Sequence, residues 1–261
     1  MRLVRYKSLQ QSLFTIIALI VLCAGIVSCS GERYTALMNA ARNGDNNAVG
    51  RMLDLGTEIN QQTTKGKTAL MLAASGGHTD TVKLLLDRGA DVATKDKYGT
   101  SALIVAATGG HTDTVKTLLS FGADPFIKDS SGGSALTNAT FFGQTETVAM
   151  ILENTKEIPK PHSDELLLLA AGLGHIDIAT LLLAKGANAN ARGIKQRTPL
   201  MAASAFNKIK MVALLLEHQA DITANDADGV TALEVATNKG NSEIVALLQA
   251  TTDNPTQTLK P

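Results

Sequence analysis

Past residue 30, the apolar positions fall into triplets that recur down the chain: Val49/Met52/Leu53, Val82/Leu85/Leu86, Val115/Leu118/Leu119, Val148/Ile151/Leu152, Ala179/Leu182/Leu183, Val212/Leu215/Leu216 and Val245/Leu248/Gln249. Steps of three and four put each triplet on one helical face. At a fixed offset before each triplet stands an anchor, Thr35, Thr68, Ser101, Ser134, Glu165, Thr198 or Thr231, most of them followed by Ala-Leu. A Thr or Ser there predicts the cap of a first helix, because its hydroxyl accepts a bond from an orphan N–H two or three residues on. Pro199 suits the first helical position. Gly44, Gly77, Gly110, Gly143, Gly174 and Gly240 then close the first helix, and Gly56, Gly89, Gly122 and Gly186 close a second. The anchors keep one spacing throughout, except that the step from Ser134 to Glu165 is shorter by two. The pattern predicts an all-α solenoid over residues 35–252, built from seven helix-turn-helix units joined by extended finger loops. Polar residues on the outer repeats, Arg42 to Asn47 and Asn238 to Glu243, suit terminal units that cap the stack and favour seven as the full set.

Within these units, Gly77-His78, Val82, Leu85-Leu86 and Gly89-Ala90-Asp91 resemble the consensus of the ankyrin-repeat family, as do Gly110-His111 with Gly122-Ala123-Asp124 and Gly174-His175 with Gly186-Ala187-Asn188. The family's Thr-Pro-Leu-His opening survives only as Thr198-Pro199-Leu200-Met201. The resemblance implies a binding scaffold that takes another protein on its concave side. There it would use the finger tips and the two residues before the glycine that ends each first helix. Read in order, those helix positions are polar at the ends and apolar in the middle, where they are Phe141/Phe142, Gly172/Leu173 and Ala205/Phe206. Aromatic residues are 3% of the chain, so phenylalanines concentrated at such positions point to an interface. Phe141, Phe142, Leu173 and Phe206 are therefore the apolar candidates. Lys95, Lys97 and Tyr98 on one finger and Arg192, Lys195 and Arg197 on another are the polar ones. A partner with acidic groups around an apolar protrusion fits this set. One of the two adjacent phenylalanines could instead turn inward.

Residues 1–28 are of another kind. Arg2, Arg5 and Lys7 precede an apolar run from Leu13 to Val27, the layout of a secretory signal. The run falls short of the roughly 20 residues that a spanning helix needs. Its end, Ile26-Val27-Ser28-Cys29, resembles the lipobox of bacterial lipoproteins. That resemblance implies lipidation of Cys29, a short tether over residues 29–34, and a mature chain with no free thiol. With Ser30 after the cysteine, it also implies the periplasmic side of the outer membrane. Residues 253–261, with Pro255 and Pro261, are expected to form a disordered tail.

The chain has 24 basic and 24 acidic residues, and with three of the basic ones in the leader the remainder carries −3. That balance argues against a nucleic-acid binder. His78, His111 and His175 sit at the family's Gly-His position, and His162 and His218 lack partners at metal-ligand spacing. Lys65-Gly66-Lys67-Thr68 lacks the leading Gly and strand of a phosphate loop, and Ser131-Gly132-Gly133-Ser134 lacks the setting of a nucleophile elbow. No cofactor, metal or catalytic set is expected, and the chain is expected to be monomeric apart from its partner. The shortened step replaces a finger with Glu157-Ile158-Pro159-Lys160-Pro161-His162, where the prolines disfavour helix and would open the groove or bend the stack. The sequence thus describes an exported adaptor or inhibitor, in its sharpest form an immunity protein against a toxic enzyme acting in the periplasm. The alternative is a scaffold that protects or positions a resident periplasmic enzyme.

Overall fold

In the computed structural model, residues 34–253 are described, apart from 156, 157 and 161. The leader, Cys29 and residues 254–261 lie outside the described residues. Nearly every repeat opens on a hydroxyl cap: Thr35, Thr68, Ser101, Ser134, Thr198 and Thr231 each accept a bond from the backbone N–H three residues on. Seven helix pairs follow. They are α1 (Ala36–Arg42) with α2 (Asn46–Asp54), α3 (Ala69–Ser75) with α4 (Thr79–Asp87), and α5 (Ala102–Thr108) with α6 (Thr112–Ser120). Next come α7 (Ala135–Phe141) with α8 (Thr145–Asn154) and α9 (His162–Leu173) with α10 (Ile176–Ala184). The last are α11 (Pro199–Ala205) with α12 (Ile209–Glu217) and α13 (Ala232–Lys239) with α14 (Ser242–Asp253). Among the described residues there is no strand beyond one isolated bridge between Lys95 and Ser101, and no helix is long and apolar enough to cross a membrane.

The odd-numbered helices stack in one layer and the even-numbered helices in a second. Helices this short are not stable alone, so their stability comes from the buried faces. Those faces are the triplets read above: Val82, Leu85, Val115, Leu118, Val148, Ile151, Val212 and Leu215 have no exposed surface. Burying each such side chain contributes about 1.5 to 3 kcal/mol. Ala41, Ala74, Ala107 and Ala171, also fully buried, let neighbouring first helices approach closely. Hydroxyl pairs cross between the second helices, Thr79 Oγ1 to Thr114 Oγ1 at 2.8 Å and Thr112 Oγ1 to Thr147 Oγ1 at 2.9 Å. Polar atoms enclosed between repeats thereby satisfy one another.

The shortened step departs from expectation. Glu165 is not a cap; it lies inside α9, which begins at His162 and runs for 12 residues where other first helices have 7 or 8. Without a finger to lead in, the chain enters α9 a turn early, and that extra turn occupies part of the finger's place. His162 is buried, its ring meets Phe126 edge-on at 5.8 Å, and its Nε2 lies 3.4 Å from Ser134 Oγ. Asp164 Oδ1 accepts from Asn188 N at 3.0 Å, much as Asn60 and Asn190 accept from the following fingers. His162 thus packs against the preceding finger and the cap of the preceding first helix. The first-layer interface between α7 and α9 is still the sparsest in the stack.

Candidate partner-binding surface

The rim of the first-helix layer is held by side chains that reach back one repeat. His78 Nε2–H donates to Arg42 O at 3.0 Å, His111 Nε2–H to Ser75 O at 3.1 Å, and His175 Nε2–H to Phe141 O at 3.3 Å. In two repeats without histidine an amide does the same, Gln144 to Thr108 O at 3.4 Å and Asn241 to Ser204 O at 2.7 Å. Each bond satisfies a carbonyl that a helix C-terminus would leave orphaned.

In two repeats these rings crowd the recognition position. A Cβ at Gly76 would fall 2.6 Å from the His78 ring, and one at Gly109 would fall 2.5 Å from His111. Phe142 and Phe206 occupy the equivalent places in the repeats whose partner residue is Gln144 or Lys208. Leu173 stands at the same place beside His175, so an imidazole there does not by itself exclude a side chain. His175 Cε1 lies 2.8 Å from where a Cβ on Gly143 would sit, as the His78 and His111 rings lie 2.7 and 2.6 Å from that of Gly44 and Gly77.

The phenylalanines do not form one cluster. Phe141 and Phe142 are both half-buried and pair edge-on at 5.0 Å with an interplanar angle of 77°. Phe206 is 52% exposed and leans over the next repeat back, its ring 3.7 Å from where a Cβ on Gly172 would lie. Among the described residues no ring contact joins Phe206 to either of the others. Leu173 is half-buried between them in sequence.

The polar candidates separate in a similar way. Tyr98 is exposed at its finger tip, with Lys95 and Lys97 exposed beside it. Asp96, which shares that tip, accepts from Tyr98 N and Thr100 N at 2.9 Å, so the loop itself uses its carboxylate. On the later finger the cations are already engaged. Lys195 Nζ lies 3.5 Å from Asp228, Arg197 Nε lies 3.7 Å from Asp226, and Arg192 donates to Gln196 O at 3.0 Å. Asp221 nearby is held below the usual carboxylate range, first by hydrogen bonds from Thr223 and to a lesser extent by Arg192. Ile194, on the same finger, is 91% exposed, and the sequence does not single it out. Its only signal there is an apolar residue where other tips carry Thr64, Lys97, Ser130 and Ala227. Among the described residues no three His, Cys, Asp or Glu side chains converge as a metal site would require.

Two layers of short capped helices, fastened repeat to repeat and edged by fingers, define a helical-repeat scaffold, a class that typically binds partners. The chain belongs to the ankyrin-repeat family: the family model for ankyrin repeats (3 copies) matches residues 10–96, 37–129, 89–162 and 166–258. Among solved structures it is similar to the human ASB11 ankyrin repeat domain, with a TM-score of 0.71 at 27% identity over 83% of this chain and 98% of that one. It is also similar to the ankyrin repeat domain of Bcl-3, a member of the IkappaB protein family, with a TM-score of 0.72 at 26% identity over 83% and 98%. Among curated proteins it is 41% identical over 85 residues to "Probable E3 ubiquitin-protein ligase XBOS33" of Oryza sativa subsp. japonica. It is 39% identical over 67 residues to the ankyrin repeat and KH domain-containing protein mask of Drosophila melanogaster. The alignments span 16% and 2% of the lengths of those two proteins, and 32% and 25% of this chain. Ankyrin-repeat domains are protein-interaction domains.

Proposed function

We propose that this chain is a non-catalytic, lipid-anchored binding protein on the periplasmic side of a bacterial outer membrane, attached through Cys29. It acts as an adaptor or inhibitor of another protein, in its sharpest form as an immunity protein that blocks a toxic enzyme. The supporting observation is Phe206, more than half exposed at the end of α11, with its ring lying over Gly172. An aromatic residue left open on the interaction side of a binding scaffold is what an interface anchor looks like before its partner arrives. The half-buried Phe142 extends the apolar surface one repeat beyond Leu173. The leader supports export, and the lipobox-like Ser28-Cys29 supports the anchor.

The test is affinity purification of the tagged full chain from detergent-solubilised envelopes, beside the Phe142→Ala/Phe206→Ala variant. One protein should be recovered stoichiometrically with the wild type and be depleted about tenfold or more with the variant. Recovery of the same proteins with both would sink this reading. If the recovered partner is a resident enzyme whose activity is preserved rather than blocked, the role is protection and not inhibition.

A further inference from the structure

Repeat six, from the finger at residues 190–197 through Gln219, departs from its neighbours in a way that packing does not demand. Every repeat turns through left-handed backbone, and elsewhere glycine supplies it, as at finger tips Gly66, Gly99, Gly132 and Gly229. In repeat six the finger tip has Gln196 (φ 59°) instead. The first helix ends at Asn207 (φ 55°) and the second at Gln219 (φ 61°), where other repeats have Gly77 or Gly89. Lys195 (φ 58°) adds a second left-handed residue at the tip. All positive-φ residues other than glycine, among those described, belong to this one repeat. Asn207 is at ease there, but Lys195, Gln196 and Gln219 are strained, and such strain collects where function requires a fixed shape.

The same repeat presents two exposed large apolar side chains. Ile194 stands at the finger tip, 91% exposed, and Phe206 closes the far end of α11; the helix between them is about 10 Å long. The tip is braced. Arg192 bonds Gln196 O and Asn225 O, and Lys195 O accepts from Ala227 N at 2.8 Å. Below them, Gly193 is pressed so near α9 that a Cβ would lie 2.8 Å from Leu168 Cδ1. Ile194 is thus held out on a strut, and a pre-shaped apolar point loses less entropy on binding than a loose one.

Charge names the partner's chemistry. Residues 190–197 hold three cations and no acid. Asp226 Oδ1 is taken by Asp228 N and Val230 N at 2.9 and 3.0 Å, and Asp221 Oδ1 by Thr223 N and Oγ1 at 2.8 and 2.7 Å. Asp226 Oδ2 pairs with Arg197 Nε at 3.7 Å, which leaves Asp228 as the exposed carboxylate within ion-pair reach of the finger, 3.5 Å from Lys195. An exposed pair of that length gives way readily to a better acceptor.

We propose that repeat six is the primary recognition repeat and that its occupant is an acidic protein segment. An apolar side chain of that segment covers Ile194, its carboxylates meet Arg192 and Lys195, and Phe206 makes the second apolar contact. The inference rests on the reading above that the chain binds a protein, and it names the chemistry of that protein.

The experiment is selection of a display library of random peptides against the detergent-solubilised full chain, followed by titration of the enriched peptides. Peptides that combine Asp or Glu with apolar residues should be enriched, and their affinity should fall about tenfold or more on Ile194→Asp. Leu55→Asp, at a residue 85% exposed but five repeats away, should leave affinity unchanged. Because Ile194 is nearly free of packing, its variant keeps the fold. Acidic peptides that depend on Phe206 and ignore Ile194→Asp would overturn this proposal while sparing the protein-binding reading. Basic peptides, or no enrichment, would overturn it as well, and no enrichment would also weigh against the reading beneath it.

Discussion

Single residues carry much of the distinction between scaffold and site in this protein. Ser204 shows the scaffold side. Its Oγ is buried and has no hydrogen-bond partner among the described residues, at the position where other repeats place Ala41, Ala74, Ala107 and Ala171. A buried hydroxyl without a partner costs desolvation that alanine avoids, and alanine is also the better helix former. Ser204→Ala should therefore raise unfolding stability by about 1 kcal/mol, read from chemical denaturation midpoints at unchanged m-value. Asn241 bonds the Ser204 carbonyl and not its side chain, so the cross-repeat bond survives the change. The site side shows in the phenylalanines. From sequence, Phe141, Phe142 and Phe206 are equivalent candidates, since each stands near the end of a first helix. The structure divides them, because Phe141 and Phe142 cover part of each other while Phe206 keeps more than half of its surface exposed.

At the scale of helices, the end of each first helix is coupled to the residue that opens the second. His111 reaches back to Ser75 O, and its ring then occupies the space beside Gly109. Gly109→Ala should push the ring aside and cost about 1 kcal/mol, the net contribution of one hydrogen bond. In a His111→Gln background the same change should cost little, because Gln144 beside Phe142 shows that an amide tolerates a side chain there. A double-mutant cycle measured by denaturation checks the coupling, and additive costs would refute it. The period, the caps and both helix faces were legible in the sequence, since each rests on groups within a turn or so of one another. Glu165 misleads because it stands in register without being a cap. The helix start is decided by His162 packing against Phe126, a residue of the preceding finger.

Across the whole molecule, the junction between the fourth and fifth repeats is the sparsest of the first layer, and His162 is buried in it. Burial pushes the His162 pKa below its ordinary value near 6.5; Lys128 adds to the shift, while Glu165 at 3.7 Å opposes it. A histidine kept neutral by folding contributes its full stability above its unfolded pKa. That contribution is lost as pH falls through 6.5 toward the lower folded value, because the unfolded chain then binds the extra proton. Wild-type protein should therefore lose more stability between about pH 7.5 and about pH 5.5 than His162→Phe does, as read by thermal melts at each pH. An equal loss in both would show that the junction does not titrate. The stack also explains why charge on the fingers was only partly legible. Lys195 and Arg197 read as open cations from sequence, yet Asp228 and Asp226 meet them from the next finger.

The amino-acid sequence alone determined the seven-fold period, the hydroxyl caps, the all-α two-helix unit and its membership of a binding family. These follow from local hydrogen bonding and helical periodicity, which repeat from copy to copy. The tertiary structure decided what the copies do not share. It divided the phenylalanines into a packed pair and an exposed one, packed His162 against the preceding finger, and paired part of the basic finger. It also placed the left-handed residues other than glycine, among those described, in repeat six, two of them beside Ile194. Those outcomes depend on which side chain of one repeat faces which backbone of the next, and a pattern read along a single chain does not contain that.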